Sequence, residues 1–376
     1  MPTTQHASPK LQDHFKELAD PRRGEVTYPL INVVVIAVCA VICGADDFVA
    51  IAEFGKKKRA WLAKFLDLKD GIPSHDRFNA IFAALKPAEF EKCLLSWITA
   101  LHEITGGQVI AIDGKTLRRS FDAASSKAAI HMVSAWATAN HISLGQTVVD
   151  AKSNEITAIP KLLEMLELKG SLITIDAMGC QTEIAEKIVT AKADYVLAVK
   201  GNQPTLHQGI IDFFNDHLED DFARTKVRRY ETTEKAHGRK ATRWYYVCPV
   251  PDNLPDRIRW RNLKAIGIAI SHTKRDGKDC DEIRYYILSK YLAGRRFAEA
   301  VRSHWAIENR LHWQLDVTFQ EDQSRIRKGH ADANFSVLRR TALSMLKNER
   351  TLKVGIKNKR LTAAWDETYL EKVLLG

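Results

Sequence analysis

Two short apolar runs, QVIAID at 108–113 and SLITID at 171–176, each end on an aspartate. Runs of this length, rich in β-branched residues and bounded by turn formers, read as strands buried on both faces. Around them lie HMVSAWAT at 131–138, ISLGQTVV at 142–149, a helical stretch at 158–168, a second at 183–192, and DYVLAV at 194–199. The order is therefore β-β-β-α-β-α-β, which limits the centre of the chain to an α/β fold built on one mixed sheet. Such sheets bind ligands at the carboxyl ends of their strands. If the two runs are neighbours, Asp113 and Asp176 meet there.

The flanks have a different texture. Up to about residue 105 apolar residues recur at helical spacing, in 48–65 and again in 78–101, with a turn at Gly71, Pro73 and Ser74 between them. Ser74 is placed to cap the following helix. The pair reads either as a plain helical hairpin or as a helix-turn-helix offering Arg77 and Asn79 to bases. The run at 33–43 is apolar throughout but too short for a membrane span of about 20 residues, so a buried core helix is expected. Residues 222–296 lose helical period and read as a β-rich insertion. Helix returns at 297–315 and 333–347, followed by a basic tail with Lys353, Lys357, Lys359 and Arg360. Four segments follow: a helical one at 1–105, the first part of a catalytic core at 106–221, the insertion at 222–296, and the closing helices at 297–376.

Charge is distributed along the same lines. The 56 Lys and Arg against 46 Asp and Glu give a net +10. Residues 106–221 carry 10 basic and 15 acidic groups, whereas 222–296 carry 19 and 8. An acidic segment beside a strongly basic one suits carboxylates that hold metal ions next to a lobe that neutralises phosphates; the alternative is a solvated basic surface. Arg228, Arg229, Arg239 and Lys240 are expected to share one face of that lobe. Six cysteines without a CxxC pair indicate neither a zinc ribbon nor a disulfide framework. The first residues lack the order of a signal peptide. A cytoplasmic, nucleoid-associated protein with no membrane partner and no small-molecule substrate is expected.

A third carboxylate stands out in the helix after the insertion. Val301, Trp305, Glu308, His312 and Leu315 recur at steps of three and four, the spacing of a core-facing stripe. A glutamate on such a stripe is costly unless it is paired or binds a metal. Asp316, one turn beyond His312, is the rival for its role. Asp113, Asp176 and Glu308 together could hold two divalent ions for phosphodiester chemistry, and an all-oxygen donor set suits Mg2+, with Mn2+ as a substitute.

The segments AIDGKTLRRS, ITIDAMGCQ, KGNQP at 200–204, EKAHGR at 234–239 and HWAIENRLHWQLDVTFQED at 304–322 resemble those of the H-repeat-associated proteins. These belong to the insertion-sequence transposases with a DDE triad on a ribonuclease-H-like fold. The likeness covers nearly the whole chain. It implies that Asp113, Asp176 and Glu308 are the catalytic, metal-binding triad, that DNA is the partner at element ends and target, and that two copies act on DNA as a homodimer. It also implies a β-rich insertion before the glutamate helix. Related transposases flank that glutamate with a Tyr, an Arg and a Lys; here those positions are Val301, His304 and Leu315. Arg302, His304 and Arg310 remain the candidates for clamping phosphate.

Further DNA contacts are expected from Lys115, Arg118 and Arg119 after the first aspartate, from Lys200, Asn202 and Gln203, and from His237, Arg239 and Lys240. Trp244 and Trp260 read either as packing residues or as platforms for an unpaired base. The resulting expectation is a metal-dependent DNA transposase that cuts and joins strands. A stand-alone nuclease, or a DNA-binding protein with an unused triad, are the alternatives.

Overall fold

The computed structural model describes residues 11–101, 108–116, 131–139, 141–149, 155–236, 239–275 and 278–375. Six helices come first: α1 (Leu11–His14), α2 (Leu30–Ile42), α3 (Phe48–Lys57), α4 (Arg59–Leu62), α5 (His75–Ala84) and α6 (Pro87–Leu101). The apolar run forms most of α2, buried from Asn32 to Ile42, as a helix apolar all round must be. Ser74 caps α5 by accepting from the Arg77 backbone N–H at 3.3 Å. The expected single helix over 78–101 is two, because Pro87 cannot continue a helix and starts α6 instead.

Strands β1 (Val109–Thr116), β2 (His131–Ala137) and β3 (Ile142–Val149) follow, then α7 (Glu155–Glu164), β4 (Leu172–Ile175), α8 (Thr182–Thr190), β5 (Asp194–Val199) and α9 (Pro204–Glu219). The basic segment supplies β6 (Arg228–Ala236), β7 (Arg239–Pro249), β8 (Ala265–Arg275) and β9 (Lys278–Leu288). All nine strands form one mixed sheet in the order β3-β2-β1-β4-β5-β9-β8-β7-β6. The basic strands are therefore not a lobe beside the sheet. β9 pairs antiparallel with β5, Val199 opposite Tyr285 and Val196 opposite Leu288, and carries the ladder onward.

Helices α7, α8 and α9 cover one face of the sheet, where Ile110, Ile112, Ile173 and Ile175 pack with Ile159, Ile184 and Ile210. The other face holds α10 (Gly294–Ile307), a π-helical turn Glu308–His312, and α11 (Trp313–Val317). Helices α12 (Ala331–Asn348), α13 (Ile356–Trp365) and α14 (Glu367–Leu375) end the chain and share one core with α2, α3, α5 and α6. The first and last segments thus build one helical body; Trp61 Nε1, for instance, donates to Glu371 at 2.8 Å. Two cations of the basic tail are structural. Lys359 is buried and caps the Leu346 carbonyl at 2.9 Å, and buried Arg360 reaches the Val41 carbonyl and Asp46, both at 3.1 Å. No helix among the described residues is long and apolar enough to cross a membrane.

Candidate active site

β1 and β4 are parallel neighbours, with Val109 opposite Leu172 and Ile112 opposite Ile175. One step further along that register come Asp113, still on β1, and Asp176, just past β4. Positions of equal parity share a face, so both aspartates lie on the side of Val109 and Leu172, which pack under α10. His304 of α10 sits above Thr174, its Nδ1 3.4 Å from the Thr174 hydroxyl. Burial lowers the His304 pKa, against the pull of Asp113 and Asp176. Expected as a phosphate clamp, His304 is instead half-buried within the acid cluster.

Each carboxylate has its own setting. Asp113 has the His312 Nε2 3.2 Å away, close enough for an ion pair though not aligned as a hydrogen bond. Burial would raise its pKa, but the His312 and His304 imidazoles and the Gly114 N–H outweigh burial and hold it below the ordinary value. Asp176 accepts from the Gly179 N–H at 3.2 Å, closing its own turn. Glu308 opens the π-helical turn and is exposed; its pKa is raised by the burial it does have and by Asp113, against His312 and Arg284. π-turns are inserted residues that often mark functional sites. The buried line is Val301, Ile307, Leu311, His312 and Leu315. The expected stripe through Trp305 and Glu308 is thereby corrected: Trp305 is 37% exposed, under the Arg284 guanidinium at 3.5 Å.

A fourth carboxylate, which no sequence pattern announces, belongs to the cluster. Glu155, the first residue of α7, meets the His131 Nε2 at 2.5 Å, and His131 Nδ1 lies 2.7 Å from the Thr116 hydroxyl. Burial raises the Glu155 pKa; His131 opposes this, and the charges of Asp176 and Asp113 add to it. Gly114 makes room, since a Cβ there would lie 2.1 Å from Glu155 Oε1. Only the 42-residue offset between Asp113 and Glu155 is visible in the sequence, and an offset carries no signal about a partner across the sheet.

Four carboxylates at one sheet end form a donor set whose chemistry fits a hard divalent cation. Among the described residues, however, no three side chains of His, Cys, Asp or Glu are gathered closely enough to hold a metal ion as they stand. The rival Asp316 pairs with Lys115, whose ammonium also meets Glu321 at 3.0 Å and Asp322 at 3.9 Å. Lys115, expected on the DNA, is thus a largely buried ion-pair partner.

The remaining expected contacts separate similarly. The Asn202 amide donates to the Ala177 carbonyl at 2.6 Å and the Gln203 amide to the Cys180 carbonyl at 3.0 Å, bracing the loop that carries Asp176. Lys200 is exposed next to them. Arg302 is exposed and pairs with Glu234 at 2.5 Å, and exposed Arg310 lies 3.4 Å from His141. Both line a cleft of about 830 Å³ between α10 and strands β6 to β9, with Arg243, Arg284 and Arg295. Arg118, Arg119 and His237 lie outside the described residues, as does the side chain of Arg239. Trp260 is buried and packs in the core.

The common face expected for Arg228, Arg229, Arg239 and Lys240 does not exist, because consecutive residues of a strand point to opposite faces. Arg228 lies over Tyr291 at 3.9 Å, and Arg229 pairs with Asp221 at 2.7 Å. The register gathers a different set: Lys235 opposes Lys240, and Lys240 opposes Lys274. All three are exposed. Like charges in cross-strand register repel, so this row favours an anion. It stands on the extension of β9 beyond β5, where the seven steps from Lys278 to Tyr285 carry the ribbon about 23 Å past the strand ends.

A family model described as Transposase DDE domain matches residues 104–345, and one described as DDE_Tnp_1-associated matches 12–98. A protein of Escherichia coli O157:H7 named "Putative transposase YncI" is 44% identical over 369 residues, 97% of this chain and 94% of that one. One of Escherichia coli strain K12, named "H repeat-associated putative transposase YhhI", is 40% identical over 378 residues, 98% of each chain. With its acid cluster inside the matched domain, the chain belongs to the DDE transposase family and, within it, to the H-repeat-associated transposases.

Proposed function

We propose that this protein is a DNA transposase that hydrolyses phosphodiester bonds at element ends and joins the freed strand to target DNA. The observation that carries the reading is that Asp113 and Asp176 each follow directly on Ile112 and Ile175, the last paired residues of the parallel β1–β4 ladder. The order β3-β2-β1-β4-β5, with β2 antiparallel to β1 and with β4 and β5 parallel to it, supports a ribonuclease-H-like core.

In this reading Asp113 and Asp176 supply the central oxygen donors, and Glu308, exposed on the π-helical turn, closes the set. Divalent ions held there, Mg2+ or Mn2+, supply charge neutralisation at the phosphate and a more acidic water. His312 holds the Asp113 carboxylate ionised, so that it is ready as a donor. Water adds to phosphorus as the bond to the 3′ oxygen breaks, leaving a 3′-hydroxyl. That hydroxyl attacks a target phosphate, so one phosphodiester forms as another breaks and no covalent link to the protein is needed. Lys240 in its lysine row, together with Arg302 and Arg310 in the cleft, neutralises backbone phosphates. Synapsis of two ends calls for two copies on DNA.

The test is incubation of the full chain with labelled element-end duplex, target plasmid and Mg2+ or Mn2+. Nicked and joined products are expected. Nicks without joining would reduce the protein to a nuclease, and binding without either would leave a DNA-binding protein with an unused triad.

A further inference from the structure

A second cleft, of about 700 Å³, lies between the first turns of α3 and α5 and the loop 324–330. Arg325 and Lys328 line one wall and His75 the other, and all three are exposed. Arg77, in the first turn of α5, adds an exposed cation beside His75. The acid lining the cleft, Asp47, is already engaged as the N-cap of α3, accepting from Ala50 N–H at 2.8 Å. Asn79 Oδ1 is buried there without a hydrogen-bond partner. Amide oxygen and nitrogen are exchangeable by a flip, so Asn79 can offer a donor instead. The walls are firm. Gly329, at φ +52, sits so near α5 that a Cβ would lie 2.5 Å from the Ala83 carbonyl, and His330 N–H donates to that carbonyl at 3.0 Å.

We infer that this cleft binds the phosphate backbone of duplex DNA, as a contact separate from the acid cluster and from the lysine row; this rests on the transposase reading. Arg325 and Lys328 stand on one wall and His75, with Arg77 beside it, on the other, so basic side chains flank both sides of an open cleft, which suits a polyanion lying along it. The cleft is also tied to the acid cluster. Asp322, three residues before Arg325, lies 3.9 Å from the ammonium of Lys115, two residues after Asp113. A duplex held in the cleft is therefore registered against the catalytic strand by one rigid network, with Glu321 pinned in turn by Arg340 at 3.1 Å.

The experiment measures affinity of the full chain for a duplex of about two helical turns across a salt series in EDTA. Replacing Arg77, Arg325 and Lys328 together with Ala should lower the slope of log affinity against log salt by up to roughly 2.7, at about 0.9 for each phosphate no longer neutralised. As a variant with little risk to folding, Val49→Arg adds a cation at the rim, where Val49 is 53% exposed, and should steepen the slope by about 0.9. Slopes unchanged in both folded variants, with the parent still binding in a salt-dependent way, would overturn the cleft assignment alone. If the alanine variant fails to fold, an unchanged Val49→Arg slope would overturn it as well. A parent with no salt-dependent duplex binding would overturn the transposase reading and the cleft with it.

Discussion

At the scale of single residues, electrostatic demand separates the groups that act from those that hold. Lys115 follows Asp113 by two positions but is committed to Asp316, Glu321 and Asp322. Lys115→Ala would remove one of the cations held by buried Glu321 and leave Asp316 facing other acids, a loss of about 3–5 kcal/mol typical of breaking a buried pair. Thermal unfolding of the variant should show that loss, while its salt slope on DNA stays at the parent value; a lowered slope with unchanged stability would return Lys115 to the DNA surface. The two aspartates were legible because each closes a short apolar run, although β1 continues three residues past Asp113 to Thr116. Glu155 and His131 were not, since a contact across a sheet leaves no local pattern. Trp305 and Glu308 sit at positions that a 3.6 period would bury, and Glu308 opens an inserted turn that such a period does not anticipate.

At the scale of elements, two pieces carry predictions. The first is the ribbon of β6 to β9, whose basic texture was readable in sequence but whose edge-to-edge union with β5 depends on long-range pairing that was not. Replacing Lys235, Lys240 and Lys274 with Ala should lower the salt slope by up to about 2.7, whereas the same change at Arg228 and Arg229 should move it much less, those guanidinium groups being engaged with Tyr291 and Asp221. The second is α6. Glu91, buried against α12, has its pKa pushed up to about 8 by desolvation, against Arg340 and the Gln146 N–H. Between an unfolded value near 4.5 and the folded value near 8, the unfolded chain gives up a proton that the folded one keeps. Stability therefore falls as pH rises through that window. Glu91→Gln removes this dependence, so its melting temperature relative to the parent should climb between about pH 5 and pH 8. A pH-independent difference would show that Glu91 is ionised in the folded protein.

At the scale of the whole molecule, the N-terminal and C-terminal helices form one body around α2, and the sheet stands beside it with the acid cluster at its carboxyl end. Hydrophobic period exposed the helices as helices, and α2 as buried. It could not show that segments some 300 residues apart share a core, because that depends on contacts such as Lys58 with Glu367 at 3.2 Å. The central claim concerns the cluster itself: Asp113, Asp176 and Glu308 serve chemistry, and the basic surfaces serve binding. Asp176→Asn preserves shape and removes one negative charge. On one preparation, unfolding temperature, duplex affinity in EDTA and Mg2+-dependent nicking can all be measured. The account predicts a parent-like melting temperature and affinity, with nicking reduced by at least about a hundredfold. A folded Asp176→Asn protein that nicks at close to the parent rate would contradict it.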